Sequence, residues 1–238
     1  MMLLASLVLA QSVFTYSDTS RDLSIRAKDG QGTMMESGYR FELRGSVSID
    51  SKKEKFALRA GKIVADVVSG PVAGGPNQLK SATASLGVRF EQVSPTGNSV
   101  LTGATATYTV QGVGGKLDAK GSVKIVNTNV VKKETLIATG SSITALLDRS
   151  SKRGLKSATL SGPVKIELQQ AGMQASRIVF TGRTLTLDGN AIRLSGNVKA
   201  AGSSTSRFGN LGNVDSVTVM LNDKGEMSSF KFRSGGEN

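Results

Sequence analysis

A ten-residue segment near the N-terminus, FELRGSVSID at 41–50, alternates strictly between one set of polar side chains and one set that is apolar or glycine. A period of two residues is typical of a strand with one buried and one solvated face. The same frame returns in LDAKGSVKI at 117–125, LSGPVKIEL at 160–168, IRLSGNVKA at 192–200 and, in shorter form, LGVRF at 86–90. The chain is therefore predicted to consist of copies of one strand unit.

The spacing of these copies indicates a duplication of about 76 residues. The segment LKSAT begins at Leu79 and again at Leu155, and Gly45 and Gly121 have the same separation. Glycines at 45, 87, 121, 162 and 196 divide the chain into alternating long and short steps. Such regularity is characteristic of arrays in which each unit stacks on its neighbours. Sustained helical periodicity with caps is nearly absent, so we predict an all-β fold.

Composition restricts the chemistry. The chain of 238 residues contains no cysteine and no histidine, which excludes disulfides, thiolate metal sites and Ser-His-Asp or Cys-His nucleophiles. The carboxylates are scattered, and nothing singles out a pair for acid–base chemistry. Aromatic residues make up 5% of the chain, so the interior must be aliphatic. We predict a protein that is not an enzyme and has no metal site and no cofactor.

The charge balance favours an anionic partner. The net charge is +12 and the sequence pI is about 10.1, with the excess concentrated between Lys116 and Lys165. A basic, solvated surface without any partner is the competing interpretation. Nucleic acid is disfavoured because the chain has few aromatic residues for base stacking and no recognisable nucleic-acid-binding motif.

Stacking the strand units in register aligns their apolar residues. We predict a repetitive antiparallel β-jellyroll, solenoid-like, with two facing twisted sheets about 10 Å apart. With about six strands per sheet, an apolar groove between the sheets would be about 29 Å long. The alternative is that the same side chains fill the interior. The predicted groove residues are Phe41, Leu43, Val47, Ile49, Phe90, Val123, Ile125, Val164, Ile166 and Val198.

The segments LRGSVSI at 43–49, LRAGKIVAD at 58–66 and LSGNV at 194–198 give the chain a resemblance to a known family. Over about residues 23–233 it resembles the OstA-like N-terminal domain of lipopolysaccharide transport (Lpt) proteins. The resemblance implies an open β-jellyroll that holds acyl chains inside and joins similar domains edge to edge between two membranes. It also implies contacts from basic side chains to the anionic headgroup, for which the candidates are Lys120, Lys124, Lys132, Lys133 and Lys165. Because Lys120, Lys124 and Lys165 have the outward parity of their strands, a solvated outer face is the alternative for these three.

The sequence thus predicts one jellyroll over residues 13–233, followed by a loose tail at 234–238. Residues 1–12, MMLLASLVLAQS, are expected to be a shortened signal peptide; an apolar first strand or a disordered terminus is the alternative. Edge strands near Leu23–Ala27 and Met227–Arg233 would pair with similar proteins or with another copy of the chain. The expected function is periplasmic binding and transport of a lipopolysaccharide-like lipid, and the alternative is an envelope scaffold without lipid cargo.

Overall fold

A computed structural model describes residues 13–18, 23–52, 55–68, 78–95, 97–111, 114–148, 155–170, 176–202, 211–221 and 227–234. The predicted signal peptide and all but the first residue of the predicted tail lie outside these ranges. Within them there is no helix long and apolar enough to span a bilayer. The described elements are β1 (Phe14–Asp18), β2 (Leu23–Ala27), β3 (Asp29–Met35), β4 (Gly38–Ser51), β5 (Phe56–Val68), β6 (Gln78–Ser94), β7 (Gly97–Gln111), β8 (Gly114–Asn129), β9 (Glu134–Asp148), β10 (Leu155–Gln170), β11 (Ser176–Asp188), β12 (Ala191–Gly202), β13 (Leu211–Leu221) and β14 (Met227–Arg233).

The strands form one antiparallel sheet that follows chain order from β1 to β14, with β3 beside β4. In the described residues, every substantial contact between elements joins strands that are hydrogen-bonded neighbours. This confirms the predicted all-β, antiparallel and array-like architecture. The expectation of two separate sheets with about six strands each is corrected, because the hydrogen bonding is continuous across a single sheet.

A shift in register divides each long strand into two halves. We call β4, β6, β8, β10 and β12 the glycine strands, and β5, β7, β9, β11 and β13 the partner strands. At the shift, a glycine strand has one residue more than each partner strand beside it: Lys120 to Val123 on β8, for example, faces Ser142 to Gly140 on β9. The same difference occurs at the bend in the other strand pairs between β4 and β13. An extra residue of this kind is a β-bulge, which bends the strand that carries it.

The five repeated glycines of the sequence mark this bend. All of them have a positive φ, between 73° and 101°. A non-glycine neighbour shares that conformation in four of the five strands, as at Ser46, Leu86, Ser122 and Asn197. Left-handed backbone is costly for most residues and is tolerated by glycine. The regular glycine spacing in the sequence therefore reflects one line of bends across the sheet.

The sheet is folded along this bend with its apolar face inside. Leu160 pairs with Ile143, which lies three residues from Gly140 on β9. Three residues span about 10 Å in an extended strand. Yet a Cβ on Gly140 would lie 2.8 Å from Leu160 Cγ. The two layers of the predicted jellyroll are therefore two arms of the same strands: arm A contains halves such as 123–129 and 134–140, and arm B contains halves such as 114–120 and 142–148.

The partner strands change the parity of their inward residues at the bend. On β9, Ile143 and Ala145 are buried in arm B, whereas Ala138 is buried in arm A. The glycine strands keep their parity because the bulge adds a residue, as the buried pair Ala119 and Val123 on β8 shows. Two strands of different length thus cross the same bend with their apolar side chains on the same face.

The ends of the sheet differ from the predicted edges. Strand β2 (Leu23–Ala27) is hydrogen-bonded to β1 on one side and β4 on the other, so it is not an edge. In the described residues, β3 pairs only with β4 and β14 only with β13. The expectation for Met227–Arg233 agrees with the topology, whereas the N-terminal edge consists of β1 and β3.

Candidate functional site

The apex of the bend is closed by valines. Each glycine strand places one valine just beyond its glycine, and each of these valines is less than 2% exposed. We call them the apex row: Val47, Val88, Val123, Val164 and Val198. The residues paired with the first four are small, namely Ala60, Gly103, Gly140 and Gly182. Branched side chains opposite alanine or glycine fill the inside of the bend.

The first row of arm B extends this closed base. Its residues are in register from strand to strand and are mostly buried, with Ile63 2% and Leu160 2% exposed. The row consists of Leu43, Ile63, Ala84, Ala106, Ala119, Ile143, Leu160, Leu185, Leu194 and Val217. Leu160 and Leu194 lie over Gly140 and Gly182, where a Cβ would come within 3.0 Å of the leucine side chain. The interior is therefore packed at the apex.

Arm A presents a second apolar row that is less well covered. We call it the A row; its members are paired successively and are mostly half-buried. It consists of Ile49, Leu58, Phe90, Leu101, Ile125, Ala138, Ile166, Phe180 and Ala200. Nine strands at a spacing of about 4.8 Å make the row about 38 Å long. It is longer than the predicted groove because every strand contributes to both arms.

A matching row lies further out on arm B. Its residues are also mostly half-buried and in register: Phe41, Ala65, Ala82, Tyr108, Leu117, Ala145, Ala158, Leu187, Ile192 and Val219. We call this the B wall. The A row and the B wall lie on the inner faces of their arms, further from the bend than the closed base. Together these two apolar rows are the candidate site, and we call them the slot.

The predicted groove residues divide between these layers. Phe41, Ile49, Phe90, Ile125 and Ile166 belong to the A row or the B wall and line the slot. The other five are in the closed base, where they pack against protein: Leu43, Val47, Val123, Val164 and Val198. The structure thus places half of the predicted set on the slot surface and half beneath it.

Several slot residues were missed from the sequence. Leu58, Leu101 and Phe180 lie on partner strands, next to predicted residues of the A row. The change of parity at the bend breaks the period-two pattern on those strands. The apolar residues of the partner strands are visible in the sequence. Whether they lie on the inner or the outer face of the sheet depends on the number of residues that the neighbouring strand has at the bend.

Aromatic rings concentrate at the β4–β6 end of the slot. Phe56 and Phe90 stack with ring centroids 5.9 Å apart and an interplanar angle of 27°. On the facing arm, Tyr39 and Phe41 have centroids 6.2 Å apart. These four rings make one end of the slot broader in apolar surface than the other.

Beyond the A row, the lip of arm A becomes polar in its middle. Asn127 Nδ2 donates a hydrogen bond of 2.9 Å to Ser99 Oγ. A shallow pocket of about 80 Å³ lies here, lined by Ser94, Gly97, Asn98, Ser99, Asn127, Thr128 and Asn129. At this position the slot therefore has an apolar floor and a polar lip, which suits an amphiphile. The lip continues through the exposed Leu136 and Leu168 on β9 and β10.

The predicted headgroup lysines lie outside the slot or at its lip. Lys120, Lys124 and Lys165 are exposed on the parity opposite to the apex valines, and Lys165 Nζ is 3.3 Å from a Glu167 carboxylate oxygen. These three lysines therefore point away from a ligand that would lie in the slot. Lys132 and Lys133 are exposed in the β8–β9 turn, at the lip of arm A, and remain candidates for a headgroup contact.

Two glutamates on the outer face have strongly lowered pKa values. Hydrogen bonds from Arg177 (Nε to Oε1, 2.7 Å) and Gln169, opposed by partial burial, lower the pKa of Glu167 to about 2. Hydrogen bonds from Lys62 (Nζ to Oε1, 2.6 Å) and Arg44 lower the pKa of Glu42 to about 2. Both carboxylates stay ionised and join neighbouring strands or turns, so their role is structural.

The pKa values of two other carboxyl groups are also lowered. Asp66 accepts two hydrogen bonds from Arg40, at 2.7 and 3.0 Å, which lower its pKa. A hydrogen bond of 2.6 Å from the Thr144 hydroxyl lowers the pKa of Asp118. A general acid at neutral pH needs the opposite shift. Among the described residues, no group of three or more acidic side chains is arranged to hold a metal ion.

Comparison of the chain with protein-family models, with curated proteins and with solved structures finds no match in any of the three.

Proposed function

We propose that the protein binds the acyl chains of an anionic, lipopolysaccharide-like lipid in the slot and carries the lipid between membranes without covalent chemistry. The observation that supports this proposal best is the A row. It is a continuous line of apolar side chains over about 38 Å, most of them large, and all of them except the buried Ala138 and Ala200 are half-covered. An extended apolar surface of this kind marks a binding site for an apolar ligand.

The dimensions of the slot suit acyl chains. One leaflet of a bilayer is half of the hydrocarbon core of about 30 Å, so an acyl chain is about 15 Å long. A slot of about 38 Å, measured across the strands, accommodates chains that lie in that direction. The polar lip at Ser99 and Asn127 and the lip lysines Lys132 and Lys133 would meet a charged or sugar-bearing headgroup.

The open ends of the sheet support an assembly in the same proposal. Among the described strands, β1 and β3 at one end and β14 at the other have no further strand beside them, so each end is an edge at which another strand could pair. Edge pairing with a similar β-jellyroll protein, or with a second copy of the chain, would continue the slot from one molecule to the next. We place this activity in the periplasm, with direction supplied by an ATP-driven partner.

Lipid capture tests the proposal directly. The protein is incubated with a photoactivatable lipopolysaccharide and crosslinked, using Ile125→Asp and Ile166→Asp as slot variants and Lys124→Asp as a matched control on the same strand. We expect capture by the wild type and by Lys124→Asp, and a loss of at least tenfold in both slot variants. Equal capture by all four proteins, with unchanged far-UV circular dichroism spectra, would show that the lipid does not bind in the slot.

The closed apex also supports a second candidate, an envelope scaffold without cargo. The apex row and the first row of arm B are packed as tightly as a protein interior, with Ala119 and Val198 0% exposed. A scaffold predicts concentration-dependent filaments through the free edges and no lipid in native mass spectra of protein purified from cells. Bound lipid that is lost in Ile125→Asp would favour the carrier.

A further inference from the structure

The turn between β8 and β9 exposes two consecutive valines. Val130 is 61% and Val131 72% exposed. β-branched residues are unusual in turns, where glycine, proline, asparagine and aspartate predominate. The turn is also well ordered by its own hydrogen bonds: Asn129 Oδ1 accepts from the backbone N–H of Val131 at 3.1 Å and of Lys132 at 2.9 Å. The two valines are thus held in a fixed, outward position.

The surface around these valines is basic and contains a third exposed valine. Lys132 and Lys133 follow directly in the turn, and Lys52 and Lys55 are exposed in the β4–β5 turn. Val93 is 50% exposed, and its N–H donates to Lys55 O at 2.8 Å. Strand pairing connects Val93 through Asn98 on β7 to Thr128, two residues before Val130. We call this set, Lys52, Lys55, Val93 and Val130–Lys133, the basic lip.

We propose that the basic lip docks the protein on the surface of an anionic lipid bilayer. Apolar tips insert among the headgroups while neighbouring lysines meet lipid phosphates, which is the combination used by peripheral membrane contacts. Each lysine near an anionic membrane adds modestly to binding, so four in one lip give a weak contact that salt reverses. The partner of the basic lip is the bilayer surface itself. This docking does not require that a lipid is bound in the slot.

Vesicle flotation tests this docking. Vesicles of phosphatidylglycerol and phosphatidylethanolamine are compared with pure phosphatidylcholine at low and high salt. We expect the protein to float with the anionic vesicles at low salt only. The variants Val130→Asp/Val131→Asp and Lys52→Glu/Lys133→Glu should each lower the bound fraction more than tenfold.

Matched controls lie at the opposite lip, on arm B. Val110, 41% exposed, provides Val110→Asp, and the exposed Lys80 and Lys156 provide Lys80→Glu/Lys156→Glu. We expect both, and the slot variant Ile125→Asp, to float as the wild type does. Absence of wild-type binding at low salt, or an equal loss in the opposite-lip variants, would overturn the proposal. If the wild-type protein floats with anionic vesicles but captures no lipopolysaccharide, the proposed lipid carriage fails and the docking proposal stands.

Discussion

The side chain of Leu160 occupies the space that a methyl group on Gly140 would need. A Cβ built on Gly140 would lie 2.8 Å from Leu160 Cγ and 3.0 Å from Ser161 O. These residues lie on opposite sides of the bend in adjacent strands. Their contact shows that the two arms meet at the apex, and it makes the small residue on the partner strand a requirement of the fold.

The first prediction concerns this contact. Gly140→Ala should lower the free energy of unfolding by about 1–3 kcal/mol, because it overpacks the apex. Leu160→Ala should also destabilise the protein, but the double variant should recover part of the loss because the new methyl group gains room. Urea unfolding measures all four corners of the cycle. Gly32→Ala, where a Cβ has its nearest contact at 3.4 Å, is the control.

A second prediction separates backbone strain from packing at the bend. Gly87 has φ of +81°, and a Cβ there meets no atom within 4 Å. Gly87→Ala should therefore cost about 1–2 kcal/mol from left-handed backbone alone. Gly87→Asn should cost less, since asparagine tolerates this conformation. Equal stability of all three proteins in urea would argue against the left-handed bend.

A third prediction contrasts two residues of β8 that share one face. Val123→Asp places a charge in the closed apex, so we expect a loss of more than about 4 kcal/mol and a largely unfolded protein. Ile125→Asp changes the half-buried A row and should leave the far-UV circular dichroism spectrum and most of the stability unchanged. Similar thermal unfolding of the two variants would contradict the division between apex and slot.

The fourth prediction follows from the lowered pKa of Glu167, about 2 against an ordinary 4.5. A carboxyl group whose pKa is lower in the folded state stabilises the protein above about pH 4.5 and loses that contribution as the pH falls towards 2. The stability difference between wild type and Glu167→Gln should therefore shrink over that range. Arg177→Gln should show the same trend, and a difference that is independent of pH would exclude the ion pair as its cause.

Much of the fold was predictable because the glycine strands obey one simple rule. Their bulge adds a residue, so period-two alternation continues through Gly45, Gly121 and Gly196, and the sequence displays it directly. The repeated glycines, interpreted from the sequence as divisions between long and short units, lie at the bend. The pattern could not show that the bend folds a single sheet upon itself, because one strand that continues through a bend has the same alternation as two separate strands.

The slot was only half predictable for a related reason. Val123 and Ile125 share a parity, yet one lies in the closed apex and the other in the A row. Their distance from the bend decides between burial and half-burial, and alternation carries no information on that distance. On the partner strands, Leu101 and Phe180 were missed because their inward face depends on the residue count of the neighbouring strand.

The central claim is that the inner face of arm A holds hydrocarbon, and adjacent residues on one strand test it most directly. A photoreactive amino acid is placed at Ile125 or Lys124, and in a second pair at Ile166 or Lys165, and each protein is irradiated with labelled lipopolysaccharide. The account predicts crosslinks from positions 125 and 166 and background from positions 124 and 165. Equal labelling of inner and outer positions, or none at 125 and 166, would contradict it.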